Sequence, residues 1–114
     1  MPLNNTVLNI GANAMRTAMA YVSLHSATPD PSGSDESDAP RRPSAWSAPT
    51  NGDLSSASIL FTGGESNGPV KAAGFWNSDV GGDFYGFYPI DGDEIFNASG
   101  EYTLLAFTLV GSSD

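Results

Sequence analysis

The chain contains one histidine, His25, and no cysteine. Disulfides, thiolate catalysis, thiolate–zinc sites and Fe–S clusters are thereby excluded. A nucleophilic Ser or Thr needs a base beside it and a third group to orient that base. His25 is the one imidazole available, it closes a strand candidate just before a long loop, and no G-x-S-x-G elbow is present. Paired carboxylates could hydrolyse glycosides, but the acids here lie in turn-like stretches where Asp and Glu are commonly just solvated. Asp91-Gly92-Asp93-Glu94 could attract Ca²⁺, yet it lacks the D-x-D-x-D-G spacing and distal Glu of an EF-hand and reads as a hairpin turn. Gly63-Gly64 and Gly81-Gly82 carry no P-loop Lys and read as turns. Asn4-Asn5-Thr6 and Asn97-Ala98-Ser99 match the glycosylation sequon. No catalytic, cofactor-binding or metal-binding residue is assigned from these patterns, and no cofactor is expected.

Two other groups carry recognition chemistry. Phe75, Trp76, Phe84, Tyr85, Phe87 and Tyr88 fall in two adjacent strand candidates. Alternation sends about half of them outward, where Tyr and Trp can form carbohydrate platforms or protein hot spots; the others fill a core. Arg41 and Arg42 are half of the four basic residues and directly follow an acidic loop. They can pair locally with Asp35, Glu36 or Asp38, or dock on an acidic neighbour, including a second copy of this chain. The interface candidates are Arg41, Arg42, Trp46, Trp76, Tyr85 and Tyr88.

The elements that must position these residues follow from periodicity. Leu3, Val7, Ile10, Ala14 and Ala18 share one helical face, so residues 1–19 read as an N-terminal helix or arm. Ala20–His25 reads as a strand, with Ala20, Val22 and Leu24 on one face and Tyr21, Ser23 and His25 on the other. Residues 26–43 hold four prolines and four acids and read as an extended loop, an arm expected to be mobile in the free protein. Further strands are expected over 44–48, 57–62, 70–76, 83–90 and 102–110, with turns at Thr50–Asp53, Gly63–Pro69, Gly81-Gly82 and Asp91–Glu94. In the strand over 83–90, Phe84 and Tyr88 are expected on one face and Tyr85 and Phe87 on the other. The last strand is apolar on both faces and is expected to be central and buried. The fold expected is mainly β: a small antiparallel β-sandwich or barrel, with an N-terminal helix and one long Pro/acid-rich loop, in a single domain over 1–114.

Composition narrows the partners. The net charge is −9, from 4 Lys+Arg and 13 Asp+Glu, so no nucleic-acid partner is expected. Only 15% of residues are charged, against the usual ~25%. No apolar run reaches membrane-spanning length, and Met1–Ile10 lacks the features of a secretory signal, so synthesis in the cytoplasm without membrane association is expected.

Taken together, the motifs have a family likeness. Ala20-Tyr21-Val22-Ser23-Leu24-His25-Ser26-Ala27-Thr28-Pro29-Asp30 leads into a Gly/Ser/acid loop, then Arg41-Arg42 and Trp46. Val70-Lys71-Ala72-Ala73-Gly74-Phe75-Trp76-Asn77 runs into Gly81-Gly82-Asp83-Phe84-Tyr85-Gly86, and Gly100-Glu101-Tyr102-Thr103-Leu104 follows. This pattern resembles short virion proteins of tailed bacteriophages of actinobacteria, described as tail-fibre-like or minor tail proteins, with similar small domains decorating capsids. The likeness spans about Ala20 to Leu105 and departs from the family in the long acidic loop. It implies a virion structural protein, made in the host cytoplasm, with other virion proteins (major capsid or tail proteins) as partners. A homo-oligomer, with a trimer as one candidate, is expected, either decorating and stabilising the capsid or forming part of the tail. The alternative is a tail receptor-binding or glycan-binding module. The likeness carries no catalytic residues.

Overall fold

A computed structural model describes residues 5–109. Leu3 of the expected helix face and Val110 of the expected last strand lie outside the described residues. One helix and eight short strands are present among them: α1 Asn5–Ala18, β1 Tyr21–His25, β2 Arg42–Pro43, β3 Leu54–Ser56, β4 Ile59–Phe61, β5 Ala72–Trp76, β6 Phe84–Pro89, β7 Tyr102–Leu104 and β8 Phe107–Leu109. Every pairing is antiparallel. One sheet has four strands in the order β2-β1-β5-β6, and two ribbons pair β3 with β8 and β4 with β7. The sheet keeps two open edges, β2 and β6, so the chain is mainly β but is not a closed barrel.

One apolar cluster joins the sheet to the ribbons. Val22, Leu24, Ala73 and Phe75 come from the sheet, and Leu54, Ile59, Phe61, Leu104 and Phe107 from the ribbons. Phe107 is the meeting point: it stacks on Tyr88 at 4.7 Å between centroids and on Phe75 at 6.1 Å, and meets Trp46 edge-on at 5.5 Å. Such aromatic pairs add about 0.5–1.5 kcal/mol each beyond their area burial. Trp46 is held by its indole N–H, which donates to the Met19 carbonyl at 3.0 Å. Its segment makes only a single bridge to Ser56, in place of the strand expected over 44–48.

Three further sequence expectations change. The apolar stretch from Tyr102 is two strands, because β7 and β8 pair with different partners. The chain must cross from one ribbon to the other at Leu105-Ala106, so Leu105 is 71% exposed while its neighbour Leu104 is buried. In β6, a register shift pairs Phe75 with Gly86 and Trp76 with Phe84, leaving Tyr85 as the extra residue of a bulge. One inserted residue reverses the alternation. Phe84 therefore packs on Trp76 and His25, whereas Tyr88 packs on Phe107, on the opposite face. In α1, the side that turns inward is Leu8, Ala12 and the following Met19, not the expected stripe: Val7 is 44% and Ile10 65% exposed. Leu8 lies over the Thr50–Asp53 turn, where the Gly52 N–H donates to the Asn9 side-chain carbonyl at 2.7 Å.

Residues 26–43 contain no helix, and no strand except the two-residue β2 at their end, but they do not leave the body. The Ser37 N–H donates to the Leu24 carbonyl at 2.8 Å, the Ser26 N–H to the Asp35 carbonyl at 2.9 Å, and Ala39 joins the apolar cluster. The segment folds over the second face of the sheet, the face that carries Ser23 and His25.

Candidate functional site

β1 places Ser23 and His25 two residues apart, hence on one face. β5 places Gly74 opposite Ser23 and Trp76 opposite Tyr21. Ser23 and His25 are both 0% exposed. Their hydrogen bonds form one chain. The Trp76 indole N–H donates to Ser23 Oγ at 2.8 Å, and Ser23 Oγ lies 2.6 Å from His25 Nε2. His25 Nδ1 lies 2.8 Å from the Ser34 carbonyl, which can only accept. The proton therefore sits on Nδ1, and Ser23 donates to Nε2 while accepting from Trp76. Each polar atom is satisfied, as burial demands.

Space for this pair comes from Gly74. A Cβ built there would stand 2.5 Å from His25 Nε2 and 2.6 Å from Ser23 Oγ. The covering loop comes just as close at Gly33, whose φ of +80° favours glycine and whose Cβ would stand 2.5 Å from the Trp76 ring. A serine bonded to an imidazole resembles a nucleophile and its base. Here the pair has no exposed surface, and Ser23 is already engaged by Trp76, so in this arrangement it acts as a packing network.

Arg41 closes the cover. Its guanidinium lies over the Trp76 ring at 3.6 Å from the centroid. Nε and Nη2 donate to the two carboxylate oxygens of Glu36, each at 2.9 Å, and Nη1 donates to the carbonyls of Ser78 and Gly81 at 2.8 and 2.7 Å. The planar fork thus ties the 26–43 loop to the β5–β6 connection, a set of bonds an ammonium could not reproduce. The Arg41 side chain is only 6% exposed. Of the two readings open in the sequence, Arg41 follows the intrachain one.

The six interface candidates therefore divide. Arg41, Trp46, Trp76 and Tyr88 are engaged inside the fold, and the strand alternation that suggested an outward Trp76 is overridden by the loop lying on it. Arg42, on the edge strand β2, and Tyr85, on the bulge, are exposed. Tyr85 joins a surface groove that the aromatic pattern alone did not reveal, lined by Pro29, Asp30, Pro31, Phe84, Gly86 and Phe87. Proline and glycine beside the bulge were the available signal. The groove is open and apolar. Its carboxylate, Asp30, accepts from the Ser32 hydroxyl and N–H, and these bonds hold it below the usual carboxylate range.

The Asp91–Glu94 turn does not gather ligands. Glu94 accepts from the Tyr102 hydroxyl at 3.2 Å, and the Gly92 carbonyl accepts from Lys71 Nζ at 3.2 Å. Burial, together with the Glu94 charge, pushes the Tyr102 hydroxyl up to about 12. Among the described residues, no group of three His, Cys, Asp or Glu side chains could hold a metal ion. No helix among them is long and apolar enough to cross a membrane. No protein-family model matches the chain, and no curated protein matches it in sequence.

Two outcomes are expected. Arg41→Ala removes the bidentate pair and strands Glu36 and two carbonyls, so urea unfolding should show a loss of about 2–4 kcal/mol. Arg41→Lys should recover little of it, whereas Arg42→Ala should stay within about 0.5 kcal/mol of the parent. The second concerns pH. Burial pushes the His25 imidazole below its ordinary 6.5, against smaller opposing effects of the Ser34 carbonyl and Glu36. The unfolded chain then binds the proton more readily, so the stability held by neutral His25 is full above 6.5 and is lost as pH falls below it toward the folded value. The urea midpoint should fall between about pH 7.5 and 5.5, where carboxylates remain ionised. His25→Gln should flatten that slope.

Proposed function

We propose that this chain is a structural protein of a tailed-phage virion, which self-associates and docks on the particle as a capsid decoration or a tail component. The observation that carries this reading is where the chemistry sits. The polar groups capable of reaction at Ser23 and His25 are enclosed, while the exposed surface displays large apolar side chains: Ile10, Leu60, Val80, Tyr85, Ile95 and Leu105. Exposed apolar surface on a chain with few charges is suited to contacts with other proteins. The resemblance of residues 20–105 to short virion proteins supports the same reading. So does the architecture, whose two ribbons we read as the second layer of a small sandwich.

The alternative, a tail receptor-binding or glycan-binding module, would use the groove at Tyr85 and Phe87. A sugar site pairs an aromatic face with several free polar groups, and Asp30 in this groove is already engaged by Ser32. The groove is better suited to an apolar or proline-containing protein segment than to a glycan.

Immunogold labelling of intact parent phage with antibody to this chain tests the proposal. Gold on the head is the expected result for decoration, and gold on the tail for a tail component. Purified virions that carry no label, and no copy of the chain by immunoblot, would overturn it.

A further inference from the structure

Helix α1 has two apolar stripes, one turned toward the body and one exposed. At 3.6 residues per turn, Leu8, Ala12 and Met19 fall on one side. Leu8 covers Gly52, while Ala12 and Met19 are buried. Val7, Ile10 and Ala14 fall on the opposite side and are exposed. Their spacing is three then four. That is the a–d–a spacing of a coiled-coil seam. Thr17 continues the seam toward the helix end, with its hydroxyl satisfied by the Asn13 carbonyl at 3.1 Å, so it presents no unmet donor to a partner.

Charge says what can cover the stripe. Residues 1–29 contain no acid and one base, Arg16. The remaining residues hold three bases and all 13 acids, a net of −10. Two copies approaching through their β bodies would bring these acids together, whereas two copies meeting along α1 would not. Gly11 beside the seam has open space around it, so a neighbouring helix can approach the backbone closely.

We propose that the Val7–Ile10–Ala14 face of α1 is the self-association seam of this protein, and that its occupant is the same face of a second copy. The inference rests on the self-association part of the functional reading and assigns it a surface. A seam of about one and a half heptads is short, so the free protein should associate weakly, and multiple copies on a particle would gain through avidity.

The test is sedimentation equilibrium of the full chain from about 10 μM to 1 mM, a span that brackets weak association. Concentration-dependent dimers or higher oligomers are expected. Ile10→Asp should weaken association at least tenfold with an unchanged thermal melt, because the side chain is exposed in the monomer. Val80→Asp, exposed elsewhere, should associate like the parent. A parent chain that stays monomeric throughout, or association that survives Ile10→Asp, would overturn the seam. Association lost in Tyr85→Ala but kept in Ile10→Asp would place the contact at the groove and overturn it as well. These outcomes do not depend on the virion reading, which fails separately if purified particles lack the chain.

Discussion

The guanidinium of Arg41 over the ring of Trp76 is the contact on which the two-sided burial of the sheet depends. β1 and β5 present an apolar face to the ribbons and a second face carrying Ser23, His25, Gly74 and Trp76. A small domain has few elements to cover two faces of a sheet. Here an irregular loop performs the second task, and a loop can be buried only if its backbone polar groups find partners. Arg41 supplies donors to two carbonyls of the β5–β6 connection, Glu36 neutralises it, and the ring beneath it accepts the cation's face. Ser34 meanwhile offers its carbonyl to His25. The polar network and the cover are thus one construction.

That construction encloses residues suited to chemistry in type: Ser23 and His25 are both fully buried. His25 and Ser23 approach as a base and a nucleophile would, but every polar proton in the chain from Trp76 to Ser34, and the lone pair of His25 Nε2, is engaged. Proton uptake by His25 would break the bond that Ser23 donates to it. The network is therefore sensitive to acid as a unit, and its sensitivity is one of stability. Three exposed places are apolar, amid an acidic surface: the outer stripe of α1, the Tyr85–Phe87 groove and the crossing at Leu105.

Much of this was legible in the sequence where period alone decides. β1, β5 and β6 follow from alternation, with the Gly81-Gly82 pair marking the turn between β5 and β6, and the shared face of Ser23 and His25 follows from their spacing. The split at Leu105-Ala106 was not legible, because an apolar residue reads the same whether its strand continues or changes partner. The bulge at Tyr85 reversed the faces of Phe84 and Tyr88, although Gly86 within a strand was a signal for it. The cover over Trp76 was the largest surprise. Proline and acid content marked 26–43 as an arm, while its anchors, Ala39, Glu36 and Arg41, are single residues whose partners lie far along the chain. The helix showed the opposite failure: it has two apolar stripes, and periodicity could not say which one the body would take.

Native-state amide hydrogen exchange tests most directly whether residues 26–43 are part of the packed structure. The amide of Ser37, bonded to the Leu24 carbonyl, should exchange as slowly as the amides shared between β1 and β5, because opening one face should require opening the other. Ser37 and Gly33 amides exchanging near the rate of an unstructured chain, with β1 and β5 still protected, would contradict the account.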